Sequence, residues 1–124
     1  MTIPQISVFL ENKAGQLADI TGILSENQVN MRAINIAETA DYGVLRLIVD
    51  DAPRASSILL DQGFILTMTS VVGVAVPDTP GGLSRVLEVI SHARIDVEYM
   101  YSVFGQNEGQ ACMIFRVEDT DVLA

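Results

Sequence analysis

At 124 residues, almost half of them apolar, the chain holds material for one ordinary domain or two small ones. Sixteen acids against seven bases leave a net charge of −9, with four bases and eight acids in residues 1–68 and three and eight in 69–124. No basic patch is available to meet phosphates, which argues against nucleic acid and against an anionic membrane surface as partners.

The first element is a strand. From Gln5 to Leu10, Ile6, Val8 and Leu10 share one face while Ser7 and Phe9 share the other. The segment Asn12-Lys13-Ala14-Gly15-Gln16-Leu17 then turns the chain into a helix, where Leu17, Ile20 and Leu24 recur at helical spacing with Ile23 beside them. That helix is expected to end near Asn27-Gln28. Val29 to Ala37 returns to strand character, Glu38 to Gly43 is a polar turn, and Val44 to Val49 is a second strand. Asp50-Asp51-Ala52-Pro53 has the signature of a helix start, with Pro in the first turn. Ala55, Ile58 and Leu59 continue this helix, Gly63 caps it, and Phe64 to Met68 forms the last strand. The order is βαββαβ.

The rest of the chain repeats it. Ile6, Val8 and Leu10 recur 66 positions later as Val72, Val74 and Val76, within an apolar strand from Val71 to Val76. The turn recurs as Asp78-Thr79-Pro80-Gly81-Gly82-Leu83, and Leu17, Ile20 and Leu24 recur as Leu83, Val86 and Ile90. Val29-Asn30 matches Ile95-Asp96, Gly43 matches Gly109, and Ala111 to Val117 is the next strand, now shifted by two positions. So many matches in one register identify an internal duplication. The expected fold class is α+β: a ferredoxin-like βαββαβ unit repeated twice, each an antiparallel sheet with helices on one face. The expected boundaries are 1–68 and 69–124.

Two consequences follow for the second copy. It stops after Asp119, short of the final helix and strand by roughly fourteen residues. Either the natural chain extends past Ala124 or another strand completes the sheet. The joint between the copies holds no proline and only Gly73, so the last strand of the first runs almost directly into the first of the second. The helix-free face shows Ser7 and Phe9 in one copy and Val71, Gly73 and Ala75 in the other. A small, apolar surface of this kind is expected to meet another module.

The chemistry concentrates at the two turns. A strand that enters a helix through Asn/Asp-x-x-Gly-x-Leu leaves backbone N–H groups facing outward at the helix start, which suits a carboxylate or another small anion. Gly15 and Gly81 allow a ligand close to the backbone, and Asn12 and Asp78 can accept from N–H groups within the turn. The same residues also suffice simply to make a tight strand-to-helix turn. Lys13 is the only lysine and stands in the first of the two.

Together, the βαββαβ order, the Asn/Asp-x-x-Gly-x-Leu turn and the Leu-x-x-Ile/Val helix resemble the ACT domain, a regulatory ligand-binding module, over nearly the whole chain. The resemblance implies modules paired side by side, with small ligands, usually amino acids, held at the interface. It implies ligand contacts from the turn residues Asn12, Ala14, Gly15, Gln16 and Leu17, and from Asp78, Pro80, Gly81, Gly82 and Leu83. It further implies contacts from second-strand positions of a neighbouring module, Asn30 and Met31 or Asp96 and Val97, where Asp96 can hold an ammonium group. The implied protein is a tandem, freestanding sensor of an amino acid, a homodimer with no catalytic role and no cofactor. A related possibility is a regulatory subunit of an amino-acid biosynthetic enzyme such as acetolactate synthase.

Other features carry less. His92 stands near a helix C-terminus, where a cation suits the helix dipole. Cys112 is the sole cysteine, which excludes an intramolecular disulfide framework, and its apolar surroundings suit a small buried hydrophobe. No His/Cys/carboxylate set has metal spacing, and no Ser/His/Asp set supports nucleophilic catalysis, so a small enzyme on this topology ranks last. Tyr99, Tyr101 and Phe104 put aromatic surface on the second strand of the second copy. With no signal-peptide pattern and no apolar run near the roughly 20 residues that span a bilayer, a cytoplasmic location is expected.

Overall fold

A computed structural model describes residues 2–11, 15–38, 42–103 and 110–118. Their elements are β1 (Thr2–Glu11), α1 (Gln16–Glu26), β2 (Met31–Glu38), β3 (Tyr42–Val49), α2 (Ala52–Asp61), β4 (Ile65–Pro77), α3 (Gly82–His92), β5 (Val97–Ser102) and β6 (Gln110–Val117). The chain divides into two compact units. One is Pro4–Thr69; the other starts at Ser70 and includes the first residues through Ile3.

In the first unit the strand order is β2-β3-β1-β4. Antiparallel pairing sets Ile6 opposite Leu47 and Val8 opposite Leu45, while Ile34 also faces Leu47 from β2. One face of this sheet packs on both helices. Ile6, Val8 and Leu10 from β1 meet Leu45, Leu47 and Val49 from β3, Ile20 and Leu24 from α1, and Ala52, Ala55 and Leu59 from α2. Period-two strands and a period-3.6 stripe thus converge on one core, as the sequence pattern requires. Asp51 caps α2 by accepting from the Arg54 N–H at 3.2 Å. β2 begins two residues later than expected. Val29 is buried in the core all the same, its N–H held by the Leu24 carbonyl at 2.9 Å as the chain leaves α1.

The second unit repeats the arrangement with β4-β6-β5, in which β4 plays the part of β1. Val72 pairs with Phe115 as Ile6 does with Leu47, so the two-residue slip read from the sequence falls between the paired strands. Val72, Val76, Phe115, Val117 and Ile90 are buried. Both α1 and α3 end with a residue in the left-handed region, Gln28 at φ 58° and Arg94 at φ 57°. Among the described residues, this unit has no counterpart of α2.

Two expectations need correction. The last strand of the first copy and the first of the second are one continuous strand of 13 residues, because Thr67 to Ser70 contain nothing that breaks a ladder. The helix-free face is also less bare than expected. Ser7 is buried, with its Oγ 3.1 Å from both Gln5 Nε2 and Thr69 Oγ1, and Arg46 reaches Asn35 Oδ1 at 2.9 Å. Val71 is fully buried, and the Ile3 side chain lies over Gly73, whereas Phe9 and Ala75 stay exposed.

Candidate functional site

The two turns share one backbone design. Gly15 caps α1 at φ 90° and Gly81 caps α3 at φ 85°, both left-handed, and neither helix has a side-chain cap. The first helical bonds run from Asp19 N–H to the Gly15 carbonyl at 2.9 Å and from Arg85 N–H to the Gly81 carbonyl at 3.1 Å. The three N–H groups ahead of each bond have no acceptor within their helix, as at any helix start. A Cβ on Gly15 or Gly81 would meet no atom within 4 Å among the described residues.

Beyond this backbone the turns diverge. Gly82 is buried, and a Cβ there would stand 2.1 Å from the Pro77 carbonyl oxygen. Its N–H bonds the Thr79 carbonyl at 3.0 Å, and this backbone contact closes the second turn. Asp78, expected to accept from N–H groups in that turn, is exposed and makes no hydrogen bond among the described residues. Pro80 is exposed, and Leu83 is half-buried. In the first turn Asn12, Lys13 and Ala14 lie outside the described residues, as does Phe104. Gln16 follows as a half-buried side chain whose Oε1 is enclosed without a hydrogen-bond partner among the described residues, and Leu17 is exposed.

The second-strand candidates stand elsewhere. Within the first unit, Asn30 and Met31 are at the far end of α1 from Gly15, roughly 16 Å along an 11-residue helix. The Asn30 N–H binds Asp50 Oδ1 at 3.2 Å and its carbonyl accepts from the Asp50 N–H at 3.1 Å, while Met31 packs on the core. Asp96 is exposed and Val97, opposite Val117, is half-buried at the corresponding end of α3. No single unit therefore brings turn and second-strand residues together. Tyr99 and Tyr101 stack with ring centroids 6.4 Å apart, and Tyr101 is buried. His92 is exposed in the last turn of α3; Cys112 is half-buried opposite Ala75.

Sequence reasoning passed over the groove that accompanies the first turn. A cavity of about 370 Å³ opens between the end of β1, the start of α1 and the α2–β4 turn, lined by Phe9, Glu11, Gln16, Gln62, Phe64 and Ile65, with Gly63 at the bend. A second, of about 550 Å³, runs along α1 past Asp19, Ile23 and Glu26 and shares Gln62 and Phe64 with it. Phe64 reads only as a strand residue, and nothing local to it or to Gln62 signals that the fold brings them to Gln16. Among the described residues no group of three His, Cys, Asp or Glu side chains could hold a metal, and no helix is long and apolar enough to cross a membrane.

The profile of the ACT domain pair family matches residues 1–123. The structure is similar to that of protein BT0572 from Bacteroides thetaiotaomicron, at 40% sequence identity and a TM-score of 0.90, over 98% of this chain and 83% of that one. It is also similar to the regulatory subunit of aspartate kinase from Thermus thermophilus in its ligand-free form, at 14% identity and a TM-score of 0.71, over 96% and 86% of the two chains. The corresponding subunit from Thermus flavus gives 14% identity and 0.62, over 90% and 81%. At 14% identity the likeness is one of fold. No curated protein matches.

Proposed function

The chain belongs to the ACT domain pair family, and from that premise we propose that it is a non-catalytic regulatory protein that binds a small ligand, an amino acid. The two modules are residues 1–68 and 69–124. The observation that carries this reading is the matched pair of helix starts, where Gly15 and Gly81 hold the same left-handed conformation 66 residues apart. In each, helix-start N–H groups have no acceptor within the helix, an arrangement that suits an α-carboxylate, although the Gly82 N–H is taken by the Thr79 carbonyl. Gly15, Gln16 and Leu17, with Asn12 and Ala14, form one candidate contact set; Asp78, Pro80, Gly81, Gly82 and Leu83 form the other. Asn30, Met31, Asp96 and Val97 contribute only where a neighbouring module or a second copy brings a strand start to a turn. A cytoplasmic homodimer whose assembly shifts with ligand is the form this reading takes, since a ligand shifts an equilibrium only by its differential affinity for two states.

A thermal-shift screen against the twenty amino acids tests it. A ligand at 100 times its Kd stabilises the folded chain by about 2.7 kcal/mol, which raises the melting midpoint. A midpoint unmoved by all twenty contradicts the proposal. Fold likeness to aspartate kinase regulatory subunits favours a second reading, a subunit that regulates an amino-acid biosynthetic enzyme, acetolactate synthase being one example. Co-purification of a large catalytic partner separates the two.

A further inference from the structure

We propose that two copies of this chain meet through unlike helix faces, α3 of one copy seating in the groove along α1 of the other. The inference rests on the homodimer reading above and names the surfaces that make the contact.

The duplication makes the two faces comparable position by position. The groove of about 550 Å³ along α1 is lined by Asp19, Ile23 and Glu26, with Ala18 and Gly22 beside them. At the positions 66 residues later, α3 carries Arg85, Val89 and His92. The pattern is kept and its character inverted. Two acids flank an apolar residue on α1; a guanidinium and an imidazole, both N–H donors, flank one on α3. The outer pair stands two helical turns apart on each helix, roughly 10 Å along the axis. Equal spacing brings the acids to the donors whichever way the two helices run.

Nothing within the chain accounts for these four groups. All four residues are exposed, and their side chains make no hydrogen bond or ion pair among the described residues. Glu26 in the last turn of α1 and Arg85 in the first turn of α3 each stand at the helix end whose dipole opposes their sign. Gly22 is similar. Glycine inside a helix is unfavourable relative to alanine, yet a Cβ there would meet no atom within 4 Å among the described residues. The missing side chain leaves the flank of α1 open to a second helix packed closely against it. Val89, 69% exposed, is the apolar knob that such a groove receives. Glu88, which replaces Gly22 on α3, stands to one side of the line from Arg85 to His92. The complement of the α1 face is therefore present in every copy at matching spacing, which makes a second copy the occupant.

Sedimentation velocity of the full chain tests this over a wide range of concentration, with and without the twenty amino acids. Asp19→Arg with Glu26→Arg makes both faces basic; Arg85→Glu with His92→Glu makes both acidic. All four positions are exposed, so both variants should fold, which circular dichroism checks. The wild-type chain is expected to self-associate, and each variant alone to do so at least about tenfold more weakly. An equimolar mixture of the two variants restores the match of acid to donor and is expected to regain the wild-type association. Variants that associate as the wild type does, or a mixture that stays apart, overturn the assignment of faces while the homodimer reading stands. A wild-type chain that stays monomeric throughout overturns both.

Discussion

Gly15 and Gly81 hold φ angles of 90° and 85°, which cost an L-residue other than glycine about 1–2 kcal/mol. Gly82 is glycine for a different reason, the Pro77 carbonyl oxygen 2.1 Å from where its Cβ would lie. Backbone cannot rotate aside as a side chain does, so Gly82→Ala should destabilise by about 2–4 kcal/mol, more than Gly81→Ala, in urea titrations of the two variants. Equal losses would contradict this steric account. The sequence offered both glycines as ligand contacts; in the structure the space beside Gly81 is open among the described residues, while Gly82 packs against the Pro77 carbonyl. Gln28 and Arg94 show the converse case. They hold left-handed φ angles at equivalent helix exits without being glycine. Gln28→Gly and Arg94→Gly should each stabilise the chain, by about 0.5–1 kcal/mol, as a rise in melting midpoint.

At the scale of the element, α2 tests how well local signals compose. Asp51 as cap, Pro53 in the first turn and Gly63 beyond the end all act as their types suggest, and the helix runs from Ala52 to Asp61 between them. Asp51→Ala removes the acceptor for the Arg54 N–H and should cost about 1 kcal/mol of stability by thermal or urea unfolding. β4 teaches the limit of such signals. The apolar pattern gives two strands, Phe64 to Met68 and Val71 to Val76, with a short joint between them, yet Thr and Ser at 67, 69 and 70 prolong the ladder, and one strand runs through. Val89 makes a related point. Its counterpart Ile23 packs on the core of the first unit, which has an α2, while Val89 is 69% exposed where no such helix is described.

Taken whole, the chain is two units joined by a strand that serves each of them, Ile65 to Thr69 in one and Ser70 to Pro77 in the other. A shared strand is expected to couple their unfolding. Leu59→Ala, in the first core, and Phe115→Ala, in the second, should each cost about 3–5 kcal/mol. Both should shift one common transition seen alike by tyrosine fluorescence and far-ultraviolet circular dichroism. Two separated transitions, each moved by only one of the variants, would show that the units unfold independently.

The duplication, the βαββαβ order of the first copy and its apolar face were readable in the sequence because period and offset are local arithmetic. Ile6, Val8 and Leu10 announce a strand face, and their echo at Val72, Val74 and Val76 announces the repeat. The glycines of the two turns were readable for the same reason, since a left-handed helix entry demands them wherever it occurs. What the helix-free face holds was not. Its polar ladder of Gln5, Ser7 and Thr69 joins residues more than 60 positions apart, and only register sets them side by side. Nor was the difference between the turns, because it depends on the Pro77 carbonyl lying against Gly82 and on Phe64 and Gln62 arriving beside Gln16 from the far end of α2. Sequence alone determined that this protein has two helix-start turns of one design; long-range packing decided that the first stands beside a cavity walled by residues from the far end of α2.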